Sequence, residues 1–157
     1  MNESDFKAIV RSSPLKLVEH GYQILAEPSY FSSDYSPEFE KAISLGVICI
    51  IRFQLIPVPD IDSFQVFLIR RRLEIHADED SPYRPLILDL RNLMLGLYGM
   101  DIFPPKQYHW EFTDEESLIE RLKHAERYIV EYGIKWLEDP RSNIDWVRNR
   151  RKPNPFP

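Results

Sequence analysis

Residues 51–72 read IRFQLIPVPDIDSFQVFLIRRR, and the way its two halves pair decides the fold. Two runs rich in β-branched and aromatic residues flank PVPDID at 57–62, whose prolines and aspartates suit a turn and not a ladder. With 57–62 as the connection, strands 47–56 and 63–71 form a hairpin. Its register sets Leu55 opposite Phe64, Phe53 opposite Val66, Ile51 opposite Leu68 and Cys49 opposite Arg70. Alternation gathers these side chains on one face, apolar until Arg70. The other face carries Ile48, Ile50, Arg52 and Gln54 against Arg71, Ile69, Phe67 and Gln65, apolar at one end and polar at the other. A one-residue slip would destroy this sorting.

The arginines of this stretch divide into two kinds. Arg70, Arg71 and Arg72 stand where the strand runs out, and the pattern predicts a solvated strand end. Arg52 lies inside the run, beside Gln54 and across from Gln65 and Phe67. One reading makes that group a half-exposed outer sheet face. The other makes Arg52, Gln54, Gln65 and Phe67 a binding patch, in which a guanidinium takes a carboxylate bidentately or stacks on a ring.

A chain of 157 residues fits one domain with one sizeable core. The expected extent is 1–145, followed by a basic, proline-rich and poorly ordered tail at 146–157. Hydrophobic residues make up 43% and aromatic residues 13%, enough for a packed interior. A net charge of −5 gives no general attraction to nucleic acid or to anionic membranes. No apolar run reaches the roughly 18 residues of a membrane span. The acidic, polar start MNESDFKAIVRSS is unlike a secretory signal. A single cysteine, Cys49, excludes an internal disulfide and a cysteine-built zinc site, and the expected compartment is a reducing cytoplasm.

Along the chain, Ser4 is placed to cap a first helix bearing Phe6, Ile9 and Val10. Pro14 interrupts it, as a kink or as the start of a second helical piece with Leu15, Leu17 and Val18, which Gly21 stops in a left-handed conformation. Residues 22–27 suit a short strand. Ser36-Pro37 has the form of an N-cap followed by proline, predicting a short helix near 37–44 that ends at Gly46. Residues 86–98 place Leu86, Leu90, Leu93 and Leu97 at helical spacing, although LILDL also alternates as a strand would. QYHWEF at 107–112 alternates as a half-buried strand, with Tyr108, Trp110 and Phe112 on one face and His109 and Glu111 on the other. Thr113 with Glu116 forms a capping-box pattern for a helix over 114–132, with Leu118, Leu122, Ala125 and Ile129 on its core face and Gly133 as its stop. Trp136 and Leu137 belong to a buried turn before Pro140. The fold class expected is α+β: a single domain, an antiparallel β-sheet with helices packed on one face.

Catalytic motifs are missing from the sequence. Five glycines, at 21, 46, 96, 99 and 133, write no phosphate-binding loop, so no nucleotide cofactor is implied. There is no G-x-S-x-G elbow and no H-E-x-x-H helix. Cys49, mid-strand on the apolar face, reads as an inert hydrophobe. His109 and Glu111 share a strand face and are the acid/base candidates, weighed against an ordinary exposed pair. His76, Asp78 and Asp80, with Glu74 and Glu79 nearby, offer oxygen and imidazole ligands for a divalent cation, weighed against a solvated acidic loop that lacks the glycine turn of a calcium site. His20 beside a helix end and His124 on the polar side of the best helix are ordinary positions. Arg148, Arg150, Arg151 and Lys152, close to Trp146 and Phe156, give the tail weak means to hold nucleic acid or a proline-reading partner.

Three patches, PLKLVEHGYQI, IRFQLIPVPDIDSFQVFLI and YHWEFTDEESLIERLKHAERYIVEYGIKWLED, resemble the helix and glycine-aromatic turn, the central hairpin and the closing strand and helix of a group of small bacterial α+β domains of unknown function. The acidic loop and the basic tail depart from that group's pattern. The resemblance implies fold, and it brings no site residues. By analogy with bacterial domains of this size that neutralise toxins, it suggests an immunity-like role. The function expected is a non-catalytic binding or accessory protein with a protein partner, a basic one such as a nuclease toxin if the acidic loop meets it. The alternative is a small enzyme holding an anionic substrate at Arg52, and a third reading is a weak nucleic-acid binder acting through the tail.

Overall fold

Strand alternation between 47 and 72 builds the centre of the molecule. The computed structural model describes residues 1–13, 15–25, 36–57, 59–73, 81–107 and 109–148. Among these, strands β1 (Gln23–Ile24), β2 (Glu38–Ser44), β3 (Val47–Pro57), β4 (Asp62–Arg72), β5 (Leu86–Asp89) and β6 (Trp110–Phe112) form one antiparallel sheet. The order is β1-β2-β3-β4-β5, and β6 also pairs with β4, beyond the end of β5. The β3–β4 register is the one expected, with Leu55 opposite Phe64 and Cys49 opposite Arg70.

The apolar face of that hairpin is covered by helices. α1 (Glu3–Ser12) buries Phe6 and Val10, and its cap is Asn2, whose side chain accepts from Asp5 N, and not Ser4. A 3₁₀ turn at Lys16–His20 ends at Gly21 with φ of 87°, a conformation that favours glycine. It buries Leu17, while Val18 points outward with 65% exposure. α2 (Leu90–Tyr98), α3 (Glu115–Tyr128) and α4 (Ile134–Glu138) add Leu90, Leu93, Leu118, Leu122, Trp136 and Leu137 to the same core. Phe6, Phe53, Phe64, Phe112 and Trp110 form its aromatic centre, with Phe64 stacked on Trp110 at 5.4 Å between centroids. α5 (Ile144–Arg148) packs on α2, where a Cβ at Gly96 would meet the Val147 carbonyl oxygen at 2.4 Å. α5 therefore takes residues 146–148 out of the expected tail, and residues 149–157 lie outside the described residues.

Several further expectations are corrected. Residues 38–44 are strand and not helix. β3 needs a partner along its outer edge, and Phe39 opposite Ile51, packed 5.8 Å from Phe53, outweighs the local Ser-Pro signal. A Leu45-Gly46 turn, with Gly46 at φ of 73°, then closes the β2–β3 hairpin. Residues 86–98 divide, with Asp89 ending β5 and capping α2 by accepting from Asn92 N. The capping box of α3 uses Asp114 and Ser117 instead of Thr113 and Glu116. Gly133 does not stop the helix: the chain continues through a π turn at Ile129–Gly133 into α4, and the missing side chain lets Leu68 and Leu90 approach.

The arginine end of β4 is a further correction. Arg70 is not solvated but 1% exposed. Its Nε donates to the Arg84 carbonyl, and its Nη1 donates to the carbonyls of Leu137 and Asp139, all at 2.9 Å. Its guanidinium also lies 5.2 Å from the Tyr83 ring centroid. The residue ties β4 to the approach of β5 and to the end of α4. Arg71 and Arg72 are half-buried.

Candidate functional site

The strand registers compose the outer sheet face row by row. One row across β2–β5 is Glu38, Arg52, Phe67 and Asp89. The next on that face is Glu40, Ile50, Ile69 and Ile87, and the one beyond is Ala42, Ile48 and Arg71. Three isoleucines on three successive strands thus make an apolar floor, about 10 Å long at ordinary strand spacing. Arg52 and Arg71 stand on either side of it, each two residues along its strand, or about 7 Å. The result is an open groove of ≈ 440 Å³, completed by Pro85, Leu86 and Ile144. Arg70 also reaches its lining, so the lining contains three arginines and no carboxylate among the described residues.

The floor grades from buried to open. Ile50 is 1% exposed, Ile69 is intermediate and Ile87 is 54% exposed. On the Arg52 side, Glu38 lies 3.6 Å from the Arg52 guanidinium and is itself 1% exposed. That wall is partly neutralised from within the protein.

The expected patch is divided by this geometry. Arg52 lines the groove, whereas Gln65 lines a different cleft of ≈ 250 Å³, where β5 and β6 leave a gap along β4. Gln65 Nε2 lies 2.7 Å from His109 Nδ1, and Asp89, Arg91 and Phe103 complete the cleft. Partial burial and the nearby Arg91 charge hold the His109 imidazole below its ordinary pKa, opposed by Asp89 and Glu111. Glu111 shares the outer face with His109 but lines neither cavity. Gln54 is opposite Gln65, and Phe67 is opposite Arg52, outside the lining of both. Among the described residues, His109 and Arg52 therefore do not line one cavity.

Sequence reasoning missed Ile69, Arg71, Ile87 and Ile144 as site residues. Reading LILD as a strand would have set Ile87 beside Ile69. Ile144 carried no such signal, since it joins the groove only through the packing of α5. The metal candidates His76, Asp78 and Asp80 lie outside the described residues, among which no cluster of three metal-ligating side chains occurs.

Cys49 is buried under the sheet, and its Sγ donates to the Leu137 carbonyl at 3.7 Å. Burial first, then the Glu138 carboxylate, pushes its thiol up to about 12, so it is no nucleophile at neutral pH. The neighbouring Tyr22 hydroxyl donates to Glu138 Oε1 at 3.2 Å, and Lys41 pairs with Glu138 at 2.7 Å. This network closes the polar ends of the core.

No helix among the described residues is long and apolar enough to cross a membrane. No protein-family model matches the chain, and neither curated proteins nor solved structures give a significant match. Geometry is the ground for a functional reading.

Proposed function

We propose that this chain is a non-catalytic binding protein that receives a partner protein on the outer face of its sheet. The observation that carries the reading is the isoleucine row running between Arg52 and Arg71, an apolar strip with arginines at its margins that opens to solvent at Ile87. An apolar strip with charged margins has the make-up of a contact surface's centre and rim. Its openness favours a polypeptide over a small molecule. Small-molecule sites bury roughly 70–90% of their ligand, and a trough whose floor ends in a half-exposed Ile87 offers far less enclosure.

Binding alone suffices for a partner-neutralising, immunity-like role, because occluding another protein's working surface needs no chemistry from the binder. The test is retention of host proteins by the immobilised chain, compared with two variants. Ile87→Asp places a charge in the groove, whereas Leu45→Asp changes a 75% exposed residue in the β2–β3 turn. A partner held by the wild type and by Leu45→Asp, and lost by Ile87→Asp, is the expected result. Equal retention by all three overturns the reading.

A further inference from the structure

We infer that the cleft left along β4 between β5 and β6 is an anchor site for a guanidinium group, brought to it by an arginine side chain of the partner; this rests on the outer sheet face being the receiving surface. The cleft lies on that same face. Asp89 stands two residues along β5 from Ile87, about 7 Å, and Gln65 with His109 lies one row further from the isoleucines. A segment that covers Ile87 therefore passes within a side chain's length of the cleft.

The ligand class follows from the charge and the acceptors that the cleft leaves over. Asp89 accepts from Asn92 N and from Asn92 Nδ2, one on each oxygen at 2.8 Å, so both oxygens keep lone pairs. No cation pairs with Asp89 among the described residues. Arg91 lines the same cleft, but its Nε and Nη2 donate to Asp101 at 3.3 and 3.1 Å, so its charge is already met by another carboxylate. The imidazole does not compete for Asp89 either, because its lowered pKa leaves it uncharged at neutral pH.

Each side-chain amide commits its nitrogen inside the cleft, Asn92 to Asp89 and Gln65 to His109 at 2.7 Å, and keeps its oxygen as an acceptor. A planar fork of N–H donors complements one carboxylate with two amide oxygens, and shelter from water strengthens such charge-assisted bonds. Phe103 and Trp110, perpendicular with centroids 4.6 Å apart, supply an apolar wall for the methylene stem. A cleft of ≈ 250 Å³ has room for one long side chain.

The experiment titrates the labelled full chain with Nα-acetyl-arginine methylamide, with its neutral isostere Nα-acetyl-citrulline methylamide, and with propylguanidinium as a free cation. NMR follows the His109 ring and the side-chain amides of Gln65 and Asn92. The variant is Asp89→Asn, since asparagine caps a helix about as well as aspartate and α2 keeps its start; circular dichroism checks the fold. The arginine derivative should shift all three reporters saturably and the citrulline derivative should not. Asp89→Asn should bind about threefold to tenfold more weakly, and added salt should weaken the wild type. In the retention test, Asp89→Asn should loosen the partner that Ile87→Asp loses.

Equal shifts from the citrulline derivative, or shifts indifferent to Asp89→Asn, overturn the cation site whatever the retention test gives. A partner lost by Ile87→Asp but fully held by Asp89→Asn overturns the anchor and leaves the receiving face standing. Propylguanidinium bound about tenfold more tightly than the arginine derivative makes the ligand a small free cation and overturns the side-chain anchor.

Discussion

Replacing Arg70 by alanine should destabilise the protein by about 3–5 kcal/mol, the net of three lost charge-assisted hydrogen bonds and the desolvation that the variant escapes. The figure follows from its three hydrogen bonds, each 2.9 Å long and given by a charged donor to a carbonyl. Bonds of that type contribute about 1.5–3 kcal/mol apiece, so the gross loss is about 5–9 kcal/mol. Against this stands the cost of keeping a guanidinium away from water, several kcal/mol, which the variant escapes. The same cost appears as a lowered Arg70 pKa, with desolvation as its first cause. Of the three carbonyls, that of Leu137 keeps the Cys49 thiol as a donor and that of Asp139 keeps the Ser142 N–H. Arg70→Met should lose less than Arg70→Ala, since it keeps the volume and leaves only the carbonyls unmet. Urea unfolding followed by tryptophan fluorescence measures both. A loss below about 0.5 kcal/mol for Arg70→Ala is what a solvated strand end would give, and it would refute the buried knot.

The remaining expectations are separate from that knot. Cys49, with its thiol raised to about 12, should resist a thiol reagent at pH 8 in the folded protein and react at once in urea, whereas fast labelling of the native chain contradicts its burial. Arg91→Gln should move two NMR titrations upward together: that of His109, which partial burial and then the Arg91 charge hold low, and that of Asp101, which the Arg91 hydrogen bond holds low. Because both folded-state pKa values are depressed, each group's contribution is present above its ordinary pKa and lost as pH falls through the folded value, so Arg91→Gln should also flatten the decline of stability in acid. Gly96→Ala sets a Cβ against the Val147 carbonyl, a backbone atom that cannot rotate away, and hydrogen exchange in 144–148 should accelerate while β3 and β4 stay protected. Unchanged exchange there would show that α5 is not seated on α2.

How much was legible depended on how far apart the deciding residues stand. The β3–β4 register could be read because both strands and their turn lie within one stretch, where alternation and proline placement agree. The core face of α3 was legible for the same reason. The 38–44 segment was not, because Ser36-Pro37 is a local signal and the winning interaction is a ladder to Ile51, which no window around residue 38 contains. Arg70 failed in the same way, since its acceptors at 84, 137 and 139 are brought to it by β5 and by the end of α4. Arg52 lines the groove, but in place of the framing by Gln54, Gln65 and Phe67 it borders an isoleucine row that exists only once β5 pairs with β4.

A positive groove on a negative protein carries its own physical consequence. At long range an acidic partner meets the net charge of −5 and is repelled, whereas within the Debye length of about 8 Å at physiological salt it meets the arginines of the groove. Any attraction at the groove is thus confined to short range, and covering Ile69 and Ile87 takes apolar residues that a uniformly acidic surface lacks. The groove's selectivity, on the reading proposed here, lies in that requirement for apolar cover, set by the isoleucine row across β3, β4 and β5.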